Sequence, residues 1–263
     1  GSSHFGSSYG SRQFHVDLHM DRDVWFLALS PLCVLWFSVV CAIFFWLDVS
    51  EKPAKPKVKK LQPGVSVTAH DYLAMLPVVS QNAIAACVLC PPLTLAVCRW
   101  CDLDLSWPTY QRVIFDLFVM SAVYDAYFWA THRILHLPGL YRFHKLHHQW
   151  KAPCALEGAY FGLLDFLCGN YLPMLLLPPL LSRHFWSILV FGLAGVTSVA
   201  ATHSGYDLEG VLWFLGPLAP STRHDHHHEF FDVNFSTFAI FDVLTGTHLS
   251  YEGAAERRRK RSS

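Results

Sequence analysis

Charged side chains are scarce in this chain: Asp, Glu, Lys and Arg make up 15% of its 263 residues, against 52% that are hydrophobic. Soluble domains carry about 25% charge, so a fold with an ordinary polar surface is excluded. An excess of one sign is also missing. Twenty basic residues balance twenty acidic ones, which gives no support to a nucleic-acid partner. Internal repeats are absent too, which excludes a repeat array. No long polar segment remains from which a separate soluble domain could be built.

What is present is a set of long apolar runs. Residues 24–47 are 24 positions without a charge, enough to cross a hydrocarbon core of about 30 Å and too long for a signal-peptide core. Residues 73–100, 113–130, 156–181 and 185–201 are further candidate spans. The fourth contains Gly158, Gly162, Gly169, Pro173 and the pair Pro178-Pro179, so it is either a bent helix or a re-entrant hairpin arm. The second carries Pro91-Pro92 and is open to a similar break.

The expected fold is therefore all-α: a multi-span transmembrane bundle of about four to five spans or hairpin arms, with a histidine-rich helical cap. The opening GSSHFGSSYGS lies in a flexible tail, residues 1–22, and residues 23–250 form one membrane-embedded domain whose histidine core runs from about 113 to 248. Residues 251–263 read as a basic tail. Basic runs follow the first span (KPAKPKVKK, 52–60) and end the chain (ERRRKR, 256–261). The positive-inside tendency puts both on the cytosolic face, and alternating crossings then bring every histidine-rich stretch to that face.

Eight cysteines include Cys87-x2-Cys90 and Cys98-x2-Cys101. Lying in or beside an apolar span, they are read as buried thiols rather than zinc ligands.

Of 16 histidines, 11 fall between His132 and His228. His132 and His136, in HRILH, are four apart and so share one helix face, which runs back through Phe128 and Tyr124. The spacing is that of a zinc protease, but the glutamate which serves as general base there is missing and Arg133 stands in its place, so a hydrolase of that type is disfavoured. HKLHH adds His144, His147 and His148; HDHHH adds His224, His227 and His228, with His226 as filler; His203 follows the last span. Adjacent histidines about 100° apart on a helix point at different centres. Nine imidazoles exceed the six ligands a single metal accepts and therefore imply two metals, although imidazole suits iron, copper, zinc and nickel alike. His70, His184 and His248 are read as peripheral. Asp125, seven residues before His132, together with Asp225 and Asp242, are candidates to orient ligand imidazoles.

HRILH, LYRFHKLHHQWKAP, THSGYD and RHDHHH followed by NFSTFAIFDVLTGT, in this order over roughly residues 124–247, resemble the fatty acid hydroxylase or sterol desaturase superfamily of membrane di-iron enzymes. APCALEGAY and HSGYD are similar to sterol C4-methyl oxidases; HSGY and HDxHH are shared with cholesterol 25-hydroxylase-like members. Phe128 departs from the C4-methyl oxidase pattern, where histidine is frequent, and His226 replaces an apolar or aromatic filler.

The resemblance implies an endoplasmic reticulum enzyme with its histidine boxes and C-terminus on the cytosolic side. Two iron ions would activate O2 with electrons from NAD(P)H through cytochrome b5 or its reductase. The reaction expected is hydroxylation of an unactivated C–H bond of a lipid, foremost a sterol. A lipid desaturase and a fatty acyl or alkylglycerol hydroxylase are the alternatives within the superfamily; an inactive scaffold and a metal transporter are alternatives outside it. The nine histidines would hold the metals, no catalytic residue is required beyond them, and Phe128, Trp129, Trp150, Glu157 and Tyr160 are candidates to line a substrate channel.

Overall fold

The computed structural model describes residues 22–50, 60–62, 64–208 and 221–262. The opening glycine- and serine-rich tail and all of the first basic run except Lys60 lie outside the described residues. Five helical stretches are long and apolar enough to cross a membrane. Helix α1 (Arg22–Val49) is the charge-poor first run. Helices α2 (Ala69–Ile84) and α3 (Cys90–Trp100) make one continuous rod, started by a capping box in which Thr68 and Asp71 exchange hydrogen bonds. Helix α4 (Tyr110–Leu135) begins on the Thr109 hydroxyl. Helix α5 (Tyr141–His144) is a single turn. Helices α6 (Leu163–Asp165) and α7 (Leu172–Leu181) form a second broken rod, and α8 (Phe185–Thr202) closes the bundle. Helices α9 (Ser221–Phe230), α10 (Ala239–Thr245) and α11 (Tyr251–Ser262) follow.

Both breaks have the same cause. Proline lacks an N–H and its ring crowds the carbonyl four residues back. Ahead of Pro91-Pro92 the ladder widens over Ala85–Leu89, and Cys90 N–H reaches back five residues to the Ala85 carbonyl. Ahead of Pro173 it widens over Phe166–Tyr171, and Leu172 N–H reaches the Leu167 carbonyl. The fourth span starts at Leu163 rather than at 156, because Ala155–Ala159 form a tight turn instead of the first turns of the rod. That turn packs against α8 so closely that a Cβ on Gly158 would lie 2.7 Å from Val199 Cγ1.

The helices alternate in direction. Phe26, Leu29, Met120, Phe185 and Ile188, each at most 2% exposed, form the core where α1, α4 and α8 meet. Trp100, Trp107 and Tyr110 stand exposed at one end of the bundle, as aromatic residues do at a membrane interface. Asp116, buried in α4 towards that end, is paired with Arg112 and accepts from Ser182 at 2.8 Å. At the other end Asp48, closing α1, accepts from Tyr72 at the start of α2 and Tyr206 after α8, and pairs with Lys60. The C-terminal ends of α4 and α8 are at this second end, and α9 caps it. The basic residues 251–262, read from sequence as a tail, form a helix that docks on α9 through buried Ala254 and the Arg258–Glu229 ion pair.

Candidate metal centre

Helix α4 delivers His132 and His136 at its last turn; the short α5 delivers His144, and the tight turn after it His147 and His148. His203 closes α8, and α9 supplies His224, His227 and His228. These nine imidazoles assemble into two groups. His132, His136, His144, His148 and His227 form one, and His147, His203, His224 and His228 the other; within each, the candidate ligand nitrogens lie within 4.8 Å of one another. His147 and His148 fall in different groups, as do His227 and His228. Among the described residues no such group includes a cysteine, and Cys90 and Cys98 are buried in the apolar core.

The outer nitrogens fix which lone pairs face inward. Nδ1 of His132 donates to the Phe235 carbonyl at 2.8 Å, that of His227 to the Val233 carbonyl at 2.7 Å, and that of His203 to the Val199 carbonyl at 2.7 Å. His144 Nδ1 is 2.7 Å from Asp165, with both side chains sealed from solvent. In these rings Nε2 is therefore a bare acceptor aimed into its group. Nε2 of His132 and of His144 find no hydrogen-bond partner among the described residues. Elsewhere Nε2 faces Nε2: His203 and His224 at 2.8 Å, His136 and His148 at 3.1 Å, His227 and His148 at 3.2 Å, His228 and His224 at 3.2 Å. Metal–imidazole bonds of about 2.0–2.1 Å at right angles put ligand nitrogens about 3 Å apart. The donor set thus fits two metal ions, one with five imidazoles and one with four.

Burial disfavours the charged form of seven of these imidazoles, and metal ligands must be neutral. It lowers His136 to about 3 and His203 to about 4, and holds His147, His148, His224, His227 and His228 well below the ordinary histidine range. His226, the filler, is buried outside both groups beside the rings of Phe230 and Tyr251. His248 sits 2.7 Å from the Arg223 guanidinium and joins neither group.

The three aspartates named from sequence touch no ligand ring. Asp125 accepts the backbone N–H groups of Thr237 and Phe238 at 2.8 and 3.0 Å. Asp242 accepts those of Phe235 and Ser236 and pairs with Arg223. Both brace the loop whose Val233 and Phe235 carbonyls orient His227 and His132, so they act at one remove. Asp225 faces away, towards Gln62, and burial raises it to about 7. The carboxylates that do approach ligand rings are Asp165 and Glu157. Glu157 is wholly buried, 3.8 Å from Nδ1 of His228, and burial raises it well above the ordinary carboxyl range. Each group thus has one carboxylate beside one of its histidines. Asp165 escapes a reading by motif because it lies 21 residues from His144 in an apolar run; its one signal is an acid where a span is expected.

A cavity of about 300 Å³ opens against both groups, reaching His132, His144, His147, His203 and His224. Its wall is otherwise mainly apolar and runs along α4, α7 and α8, with Phe128, Phe161, Met174, Phe191 and Gly195 among its lining. Of the five channel candidates only Phe128 lines it. Trp129 stacks on Phe241, and Trp150 packs edge-on against Tyr160, beside α2. Glu157 sits beside His228 of the four-histidine group and does not line the cavity.

Comparison with known proteins gives a consistent picture. The fatty acid hydroxylase family model matches residues 117–247. The chain is 28% identical over 147 residues to fatty acid hydroxylase domain-containing protein 2 of Homo sapiens, covering 55% of this chain and 42% of that one. It is 27% identical over 232 residues to cholesterol 25-hydroxylase of Rattus norvegicus, covering 84% and 70%. It is 33% identical over 168 residues to methylsterol monooxygenase erg25A of Aspergillus fumigatus, covering 60% and 53%. The chain therefore spans less than half of the human protein and about half of the fungal one. No solved structure matches it.

Proposed function

We propose that this chain, whose residues 117–247 belong to the fatty acid hydroxylase family, is a membrane-bound di-iron monooxygenase that hydroxylates an unactivated C–H bond of a lipid, foremost a sterol. The observation that carries the reading is the meeting of one apolar cavity with histidines of both groups. Relatives named for cholesterol and methylsterol chemistry support a sterol substrate. Two irons, when bound, would activate O2 with electrons from NAD(P)H by way of cytochrome b5 or its reductase. In the net reaction C–H becomes C–OH, and the second oxygen atom leaves as water with two electrons and two protons.

The protein's own work is positional. His132, His136, His144, His148 and His227 would hold one iron, and His147, His203, His224 and His228 the other. The carbonyls of Phe235, Val233 and Val199 and the carboxylate of Asp165 hold Nδ1 of their histidines and so aim the inward Nε2 atoms. Phe161, stacked 4.0 Å from the His147 ring, lines the cavity beside it. The long apolar slot holds a greasy substrate and presents one carbon to the centre. No protein acid or nucleophile is required.

We assign the histidine end and the C-terminal helix to the cytosol, and the chain to the endoplasmic reticulum membrane. Lys60 and the basic α11 flank the histidine end, which supports that orientation. The test is metal content of the purified chain by inductively coupled plasma mass spectrometry, with a lipid profile of cells that express it. About two irons per chain and a new oxidised sterol are expected. Protein without metal after growth in ample iron, or metal with no lipid change, would overturn the reading.

A further inference from the structure

The cavity has a second polar region, away from the histidines. Ser121 and Tyr124 of α4, Asn170 ahead of α7, and Ser198 of α8 all line it. At 1.5 Å per helical residue, Tyr124 and Ser121 lie about 12 and 16 Å along α4 from His132, and Ser198 about 8 Å along α8 from His203. All four are inside segments long and apolar enough to cross a membrane. None of their side chains makes a hydrogen bond among the described residues.

Ser187 of α8 and the indole N–H of Trp129 of α4 are also unpaired among the described residues, but neither lines the cavity, whereas these four do. Other hydroxyls in the apolar helices return to a carbonyl one turn back: Ser38 to Val34, Thr94 to Cys90, Thr131 to Tyr127 and Thr197 to Leu193. The hydroxyl of Tyr127 reaches the Cys168 carbonyl. The Asn82 amide donates to the carbonyls of Ala159 and Phe161, each at 3.0 Å. Polar groups at membrane depth are expensive unless paired, so four left unpaired around one cavity are set for a ligand that brings its own polar group.

We propose that Ser121, Tyr124, Asn170 and Ser198 receive the hydroxyl of an amphiphilic lipid, whose apolar end then lies at the histidines. The inference rests on the oxygenase reading above and adds the direction in which substrate lies. A lipid hydroxyl normally stays at the membrane surface; here the four side chains offset the cost of drawing it into the bundle. The carbon oxidised is then roughly 8–16 Å from the substrate's own hydroxyl. In a sterol that distance selects the far rings or the side chain, at the end of the molecule opposite the hydroxyl. It excludes the C4 methyl, which is attached to the carbon next to the one that bears the hydroxyl.

The test is binding of tritiated cholesterol and of its 3-deoxy analogue to the purified, iron-loaded full chain in mild detergent without oxygen. In the wild type the analogue should bind at least about tenfold more weakly than cholesterol. Tyr124→Phe and Asn170→Leu should each weaken cholesterol about fivefold or more and leave the analogue and the iron content unchanged. Equal binding of the two ligands, or variants that weaken both alike, would overturn the proposal. Admitting oxygen gives a second readout. Oxygen on the far rings or the side chain of the sterol supports the proposal; oxygen on the C4 methyl removes it and leaves the oxygenase reading standing. If neither sterol binds, this inference falls; if expressing cells also contain no oxidised lipid of any class, the oxygenase reading falls with it.

Discussion

Asp165 lies 2.7 Å from Nδ1 of His144, with neither side chain open to solvent. The two are 21 residues apart and belong to different helices, so the contact ties the start of the fourth span to the five-histidine group. A carboxylate behind a ligand imidazole raises its basicity and fixes its ring, and loss of such a partner typically costs 10–100-fold in metal affinity. Asp165→Asn keeps an acceptor and removes the charge. Iron per chain should fall from about two towards one on dialysis against a weak chelator, while the wild type retains both. Unchanged retention would assign Asp165 to packing alone.

The division of adjacent histidines between groups gives a sharper result. His148→Ala removes a ring of the five-histidine group, and His147→Ala one of the four-histidine group. Each should lower metal content and abolish turnover, as should His132→Ala and His227→Ala, and the metal lost first should differ between the two adjacent variants. His226→Ala leaves both groups whole and should keep about two metals per chain and most of the activity. Metal analysis and Mössbauer spectra of the iron-57 proteins distinguish these outcomes. An inactive, metal-poor His226 variant would show that filler and ligand have been exchanged.

Much of this was legible in the chain. The i, i+4 spacing puts His132 and His136 on one face of α4, and apolar run length identifies five candidate spans; His147 and His148 are parted instead by a tight turn that leaves helical geometry at His148. What was not legible depended on contacts distant in sequence. Asp125 shares a helix face with His132, yet it is held by the Thr237 and Phe238 backbone, because a loop with unpaired N–H groups competes for the same carboxylate. Glu157 looked like a channel residue from its neighbours in the motif; only the packing of its tight turn on α8 carries it to His228. The basic end looked like a solvated tail, since nothing in its charge pattern reveals the buried face at Ala254.

Acid should unfold the metal-free protein in a window set by the histidines. His136 and His203 are lowered from 6.5 to about 3 and about 4 by burial, and burial lowers His147, His148, His224, His227 and His228 well below 6.5 in the same direction. Between these values and 6.5 the unfolded chain binds protons that the folded chain does not, so stability falls as pH falls. The loss should begin below about pH 6.5, continue to about pH 3, and take up more than one proton per molecule. Thermal melts of the apoprotein in mild detergent from pH 7.5 to 4.5 check this. A melting temperature that is flat across the window would mean that the imidazoles are hydrated and not sealed.

Gly158 offers a way to disturb one group and spare the other. A Cβ there would meet Val199 Cγ1 at 2.7 Å, the Val199 carbonyl at 3.2 Å and His203 Nδ1 at 3.3 Å. The last two atoms are the acceptor and donor of the bond that orients His203. Gly158→Ala must therefore push α8 away from the tight turn or wedge the His203 ring aside, and overpacking of this kind costs about 1–3 kcal/mol. The five-histidine group has no residue on α8 and should retain its metal; the four-histidine group, which contains His203, should lose affinity. The expected result is a folded protein with about one iron per chain and little turnover. A second variant, Val199→Ala, gives up the Cγ1 atom that makes the closest contact and should restore part of the metal content when combined with Gly158→Ala. Equal loss from both groups in the single variant would mean that the turn supports the whole histidine end and not His203 in particular.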